Sequence, residues 1–310
     1  MNDGEAPPTS SSAVYGRAKP PAVALPQKGT VIGLRWSGLE GAGNQILAAK
    51  LELEAERARL VRIWRPFSDA PGRRDLVARF APWVAEEARW AEGRIVIGVD
   101  FSLSLAETHL RQLGLLRQAL RGPGVLGKHL QERYVGDTGD YSEAAARMRD
   151  ELGKDRPRVT DQYRAELHPP TSARSYRATF FGLAVMAGVD ASFPPWDPPQ
   201  PGRPIVVEVR PGHVARVLCG VGSYRDDDRD GVSRASTRAG VLRTLRSAAH
   251  VEFEMEQAAQ IVEDEHGDHL DAVLAATGAA AAWEDGFQGV PANVPRPEGW
   301  IHSVREEPWR

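Results

Sequence analysis

Two short runs constrain this chain most: Ile95-Val96-Ile97-Gly98-Val99 and Ile205-Val206-Val207-Glu208-Val209. Each is apolar and rich in β-branched residues, and each is too short for a buried helix. Such runs read as strands covered on both faces, the pattern of parallel strands reached through crossover helices. Asp100 follows the first run and Glu208 lies within the second. The chain is therefore expected to be α/β, with carboxylates at the strand ends where open α/β sheets place their sites.

The residues before the first run read as a meander. Residues 29–37 form an apolar strand, and the second half of 45–54 and residues 59–66 alternate apolar with charged side chains, the period-2 signal of half-buried strands. Short turns between the three predict antiparallel pairing. Residues 73–92 repeat Leu76, Val77, Phe80, Trp83, Val84 and Ala88 at helical spacing. Residues 103–203 read as an insertion, with helices over 105–120, 142–152 and 175–188 and prolines breaking up the rest. After the second apolar run come a short helix over 213–218, a basic helix over 233–253 and a last helix over 267–283. No internal repeat is present.

Composition narrows the function classes. The chain has 310 residues, 42% of them hydrophobic, enough for one sizeable core. A net charge of -3 gives no global pull toward nucleic acid or membrane, so such binding needs a local patch. The single cysteine, Cys219, excludes an internal disulfide and a Cys-based zinc cluster and fits a reducing compartment. No apolar run approaches the ~20 residues of a membrane span. Residues 1–27, rich in Pro, Ser and Ala, lack the plan of a secretory signal and read as a disordered tail. The expectation is one domain over 28–310, in the cytoplasm. Abundant Arg and Ala with scarce Lys match a GC-rich bacterial genome.

Asp100, Glu208 and the pair Asp268 and Asp271 are the candidate chemistry. Asp268 and Asp271 stand three apart on the last helix and share a face. Carboxylates are the natural ligands of Mg²⁺ and Mn²⁺, and two such ions can hold a phosphodiester for in-line attack by water. Each acid also has a plain structural reading, as a turn residue, a strand-end charge or a first-turn helix acid.

Four segments resemble, in this order, a known family: Ile97-Gly98-Val99-Asp100-Phe101-Ser102, Val206-Val207-Glu208-Val209-Arg210-Pro211, Asp268-His269-Leu270-Asp271-Ala272-Val273, and Glu298-Gly299-Trp300-Ile301. The family is the domain-of-unknown-function family 429, regarded as predicted nucleases of the ribonuclease-H-like fold. The Asp268-x-x-Asp271 helix also resembles the last catalytic helix of Holliday-junction resolvases. The resemblance covers roughly residues 29–303. It implies a mixed five-stranded sheet, three antiparallel strands then two parallel, with helices on both faces. It also implies catalytic Asp100, Glu208 and Asp271, metal ligands Asp100, Glu208, Asp268 and Asp271, a Mg²⁺ or Mn²⁺ cofactor and a nucleic-acid substrate.

One position departs from the family. Gly33-Leu34-Arg35-Trp36-Ser37-Gly38 matches the family's first strand but carries Arg35 where its first Asp belongs. A guanidinium stays protonated and cannot ligate a metal. Arg35 is therefore expected to pair with Asp100 or Asp271, weakening or abolishing hydrolysis, unless it points away and Glu40 substitutes. Two rivals to a nuclease follow: a catalytically degenerate binder of nucleic acid or protein, and a sugar- or acetate-kinase-like ATPase. The second needs two copies of the core, and only one is visible.

Other signals are weaker. Asp226-Asp227-Asp228-Arg229-Asp230-Gly231 opens like a calcium loop but reaches Thr237, not Glu, at the twelfth position, so a solvated loop is expected. Residues 263–269 read as an exposed acidic loop rather than a transition-metal site. Arg234, Arg238, Arg243 and Arg246 line one helix, either as a solvated face or as phosphate contacts. Gly122-Pro123-Gly124 marks a turn. Cys219 is expected in packing, and Trp36, Trp64, Trp83 and Trp90 in the core.

Overall fold

A computed structural model of the protein describes residues 28–37, 41–54, 57–70, 72–91, 95–136, 139–164, 168–227 and 233–304. The expected tail, Glu40 and Asp228 to Gly231 lie outside the described residues. Seven strands form one mixed sheet: β1 (Lys28–Arg35), β2 (Leu47–Glu54), β3 (Arg57–Trp64), β4 (Ile95–Val99), β5 (Ile205–Val209), β6 (Val251–Glu252) and β7 (Ile301–His302). Their spatial order is β6-β3-β2-β1-β4-β5-β7. The β1–β2 and β2–β3 pairs are antiparallel, whereas β4, β5 and β7 run parallel to β1. The expected five strands are thus extended at both edges, because β6 pairs with β3 and β7 with β5. Both added strands are two residues long, too short to leave a periodicity.

The helices are α1 (Ala42–Gln45), α2 (Arg73–Trp90), α3 (Glu107–Gln112), α4 (Leu116–Ala119), α5 (Pro123–Leu130), α6 (Tyr141–Leu152), α7 (Val159–Tyr163), α8 (Tyr176–Met186), α9 (Pro211–Cys219), α10 (Ala235–Ala248), α11 (Met255–Glu263) and α12 (Asp268–Glu284). Helices α3 to α8 lie between β4 and β5. The helix expected over 105–120 is divided into α3 and α4 at Gly114, whose φ of 71° suits glycine. Pro123 stands in the first turn of α5 rather than in a free turn, since its fixed φ fits a helix start. The basic helix expected over 233–253 ends at Ala248. His250 takes a φ of 49°, and the next two residues join the sheet as β6. No helix among the described residues is long and apolar enough to cross a membrane.

Helices cover both faces of the sheet. Strand alternation sends Ile32, Leu34, Ile97, Val99 and Val206 into one core with α2 and α8. It sends Val31, Val96, Val207 and Val209 into a second core with α12. Helix α12 carries an unbroken run of small residues from Ala275 to Ala282 and lies directly on the strands. A Cβ at Gly33 would stand 2.1 Å from Ala276 N and 2.2 Å from Ala272 O, and one at Gly98 would stand 2.6 Å from Ala275 O. These two bare positions let the helix backbone touch the sheet. That contact carries the first turn of α12 to the end of β1.

Candidate functional site

Leu34 pairs with Val99 and Val99 with Glu208, so Arg35, Asp100 and Glu208 all stand at the C-terminal ends of the three central parallel strands. The backbone N–H of Asp100 donates to Leu34 O at 3.1 Å, which holds the two strand ends together. Alternation then divides the residues. Arg35 and Asp100 follow Gly33 and Gly98 onto the α12 face, where Asp268 and Asp271 are carried. Glu208 shares the opposite face with Val206. The structure therefore brings Asp100, Asp268 and Asp271 to one face, and Glu208, on the other, is linked to Asp100 through the Arg210 guanidinium.

Each of the four carboxylates is held by an arginine. Arg35 Nε stands 2.8 Å from Asp268 Oδ1. This corrects the expected partner, Asp100 or Asp271. One turn of α12 separates Asp268 from Asp271, and the outer acid, 23% exposed, is the one the Arg35 side chain meets. Asp271 is completely buried. Its Oδ1 accepts from Tyr224 Oη at 2.6 Å and from Arg225 Nε at 2.9 Å. Arg225 Nη2 lies 2.7 Å from Oδ2 as an ion pair, without hydrogen-bond alignment. Asp100 has Arg210 Nη1 3.5 Å from its Oδ1.

Glu208 is the most fully committed. Its Oε1 takes Arg158 Nη2 at 2.5 Å and Arg210 Nη2 at 3.1 Å. Its Oε2 accepts from Arg158 Nη1 at 2.8 Å and from Leu103 N–H at 2.9 Å. Three hydrogen bonds and the Arg210 ion pair thus occupy this carboxylate. Arg158 is itself wholly buried and also donates from Nη2 to Asp161 Oδ1 at 2.8 Å. Burial opposes its charge, but Asp161 and Glu208 hold the guanidinium well above its ordinary pKa. Arg210 touches both Glu208 and Asp100, and its Nη2 donates to Ser102 Oγ at 2.6 Å. It joins the two faces around the end of the sheet.

A further acid stitches the insertion to the last strand. Glu298 accepts from Glu107 N–H at 2.7 Å and Val159 N–H at 2.6 Å, which fixes α3 and α7 beside β7. Burial lifts its pKa above the ordinary value.

No protein-family model, characterised protein or solved structure matches this chain.

The residues do not fit a two-metal centre as they stand. A divalent ion needs open carboxylate lone pairs from several acids at once. Glu208 is already engaged by Arg158, Leu103 N–H and Arg210. Asp100, Asp268 and Asp271 each keep a guanidinium at the position a cation would take. The other sequence signals are also resolved. Asp227 accepts from Arg238 Nη1 at 2.8 Å and Nη2 at 2.9 Å, and Arg238 is buried rather than on a phosphate-facing surface. Asp264 accepts from His269 N–H at 2.7 Å and lies 2.8 Å from His269 Nδ1, so the acidic loop ties down the start of α12. Cys219 is half-buried. Trp36 is buried, but Trp90 is 74% exposed, against the expectation of a core position.

Burial lifts Asp271 from 3.8 to about 7, with the charge of Asp100 adding to it and Arg225, Tyr224 and Arg35 pulling the other way. The sign of the consequence is fixed. A carboxyl that keeps its proton longer when folded makes the folded state bind more protons between those two values. The contribution of Asp271 to stability therefore falls as pH rises from about 4 to about 7 and is level above that. Asp271→Asn is expected to remove this falling contribution, so that stability in urea titrations changes more positively with pH between about 4 and 7 than in the parent, since Arg225, 41% exposed, can turn to solvent. An unchanged slope in the variant would refute the assignment.

Proposed function

We propose that this chain is a catalytically degenerate ribonuclease-H-like protein that binds a partner, nucleic acid or protein, without cutting phosphodiesters. The fold part of this reading is supported by the five central strands. They run β3-β2-β1-β4-β5, antiparallel twice and then parallel twice, with α12 against β1. The degenerate part rests on one observation above all: Glu208 accepts three hydrogen bonds from Arg158 and Leu103 and is ion-paired with Arg210, on the face away from Asp271.

Metal-dependent phosphodiester hydrolysis is the second reading. Asp100, Asp268 and Asp271 share one face, and Asp271 Oδ2 has no aligned hydrogen bond, which favours it. Calorimetric titration with Mn²⁺, together with cleavage assays on labelled DNA and RNA in Mg²⁺ and Mn²⁺, separates the two. The expected result is no saturable heat and no cleavage. Metal-dependent cleavage that disappears in Asp271→Asn protein would overturn the degenerate reading and establish the nuclease.

A further inference from the structure

The sheet ends at β7, whose backbone is satisfied in part by the α7 region. Ile301 N–H donates to Thr160 Oγ1 at 2.9 Å, and Ile301 O accepts from Arg164 Nε at 3.2 Å. Where this edge meets the C-terminal end of α12 there is a pocket of about 500 Å³, within the range of small-molecule sites. Ala282, Trp300, His302 and Val304 line it as buried residues, and Tyr163, 48% exposed, stands at its mouth. The 17 residues of α12 separate this pocket from the start of the helix at Asp268, about 25 Å at 1.5 Å per residue. The two sites are therefore distinct.

One buried atom in this wall lacks a partner. His302 is 2% exposed, and its Nε2 has no hydrogen bond among the described residues. The ring does bond the backbone of Pro194. A proline backbone offers only a carbonyl, so the ring nitrogen on that side carries the hydrogen. Nε2 is then a bare lone pair, an acceptor. Burial, helped by the charge of Arg164, brings the His302 pKa down to about 4 against the pull of the Pro194 bond, so the ring is neutral at pH 7. A buried acceptor left unpaired costs free energy that an N–H donor entering the pocket recovers. Ser303 lines the pocket too, and its Oγ is likewise buried without a partner among the described residues.

The lining selects a flat, neutral ligand with N–H donors. Its charged side chains are Arg164 and Asp285, of opposite sign, so the wall as a whole favours neither an anion nor a cation. The Arg164 guanidinium lies over Trp300, 4.8 Å from the ring centre. Tyr163 meets Trp300 edge-on at 5.9 Å, and its Oη donates to Asn293 Oδ1 at 3.1 Å. An aromatic ring held in place at a pocket mouth is a surface on which another flat ring stacks. Adenine is neutral and flat, and its amino N–H donors stand beside ring-nitrogen acceptors. The donor answers His302 Nε2, and the acceptor answers the Ser303 hydroxyl, which can donate.

We propose that the pocket between β7 and the end of α12 binds an amino-bearing nucleobase of the adenine type, with the amino group donating to His302 Nε2 and the ring stacked on Tyr163. The base comes either from a free nucleoside or from an unpaired nucleotide of a strand. The inference does not rest on the degenerate-nuclease reading, which concerns the other end of α12.

The test uses the full chain. Calorimetric titration with adenosine is expected to saturate with a dissociation constant on the order of 0.1 mM, ordinary for a ligand of that size. N6,N6-dimethyladenosine keeps the rings but has no amino hydrogen, and it is expected to bind about tenfold more weakly, the loss of one hydrogen bond. That comparison is made on the parent protein and needs no variant to fold. His302→Phe, checked for its melting temperature, keeps a ring at the position and removes the lone pair. It is expected to lose about tenfold in adenosine affinity and to bind the two nucleosides alike. Tyr163→Ala is expected to cost about tenfold or more through lost stacking. A short oligoadenylate separates the sources. Affinity above that of adenosine, falling with salt, assigns the base to a strand, and affinity equal to it assigns a free nucleoside; either result upholds the site. No saturable heat with millimolar adenosine overturns the proposal and leaves water as the partner of His302. Equal affinity of the parent for the two nucleosides overturns the hydrogen bond on which the choice of ligand stands. Adenosine binding that survives both His302→Phe and Tyr163→Ala overturns the location.

Discussion

Arg158→Met is expected to destabilise the fold by about 3–5 kcal/mol, the usual cost of leaving buried charge without its partner. Arg158 is fully buried between Asp161 and Glu208, and it donates as well to the carbonyl of Glu298 at 3.3 Å. Methionine fills much of the volume but supplies no donor. Asp161 and Glu208 would then face each other as buried acids, and at neutral pH they must either take up protons or open to water. For a domain of this size the loss corresponds to a melting temperature lower by about 10 °C, read by circular dichroism. Adding Asp161→Asn and Glu208→Gln is expected to recover much of the deficit, because the buried charges then go together. A single variant that melts within a degree or two of the parent would show that water already screens this cluster. It would remove the main reason for calling Glu208 unavailable to a ligand.

The arginines explain why the site was only half legible in the sequence. β4 and β5 announced themselves because every residue is covered, which leaves an unbroken apolar run. Asp100 and Asp271 could be placed near each other because strand ends and helix faces follow fixed periods. Nothing local marks Arg158 as the partner of Glu208. The two are fifty residues apart, and Arg158 stands just before the short helix α7, within the stretch between β4 and β5. Arg210 stood inside the Glu208 segment, yet its reach around the sheet end to Asp100 depends on the strand register. Arg35 was conspicuous as a substitution, but its partner was misplaced. Asp268 and Asp271 lie on one helix face, and only the packing of α12 on Gly33 decides which of them meets β1. Trp90 lies off the core for a related reason. Its helix repeats apolar residues every three or four positions, and the core takes the Leu76-Phe80-Val84-Ala88 edge alone. β6 and β7 are registered by their neighbours rather than by their own residues.

Arg35→Asp is expected to give the protein a Mn²⁺ affinity at least about a hundredfold above the parent's, equivalent to ~2.7 kcal/mol. The substitution acts on the α12 face alone, where Asp100, Asp268 and Asp271 already meet. It removes the guanidinium 2.8 Å from Asp268 and places a carboxylate on the strand whose Leu34 carbonyl holds Asp100 in place. The local charge changes by two units, and at a few ångströms from a divalent ion each unit is worth one to a few kcal/mol in the partly screened range. Arg225 remains on Asp271 and Arg210 on Asp100, so the gain is one ion of modest affinity rather than a pair. Glu208, on the other face, takes no part. Arg35→Ala separates the two contributions, since it frees Asp268 without adding a ligand, and it is expected to give a smaller gain. Calorimetry with Mn²⁺ on the three proteins, each checked for its melting temperature, reads the series directly. If Arg35→Asp protein folds as the parent does and still takes up no metal, then Arg35 is not what closes this face to cations. The remaining arginines would have to be removed before any carboxylate here could serve one.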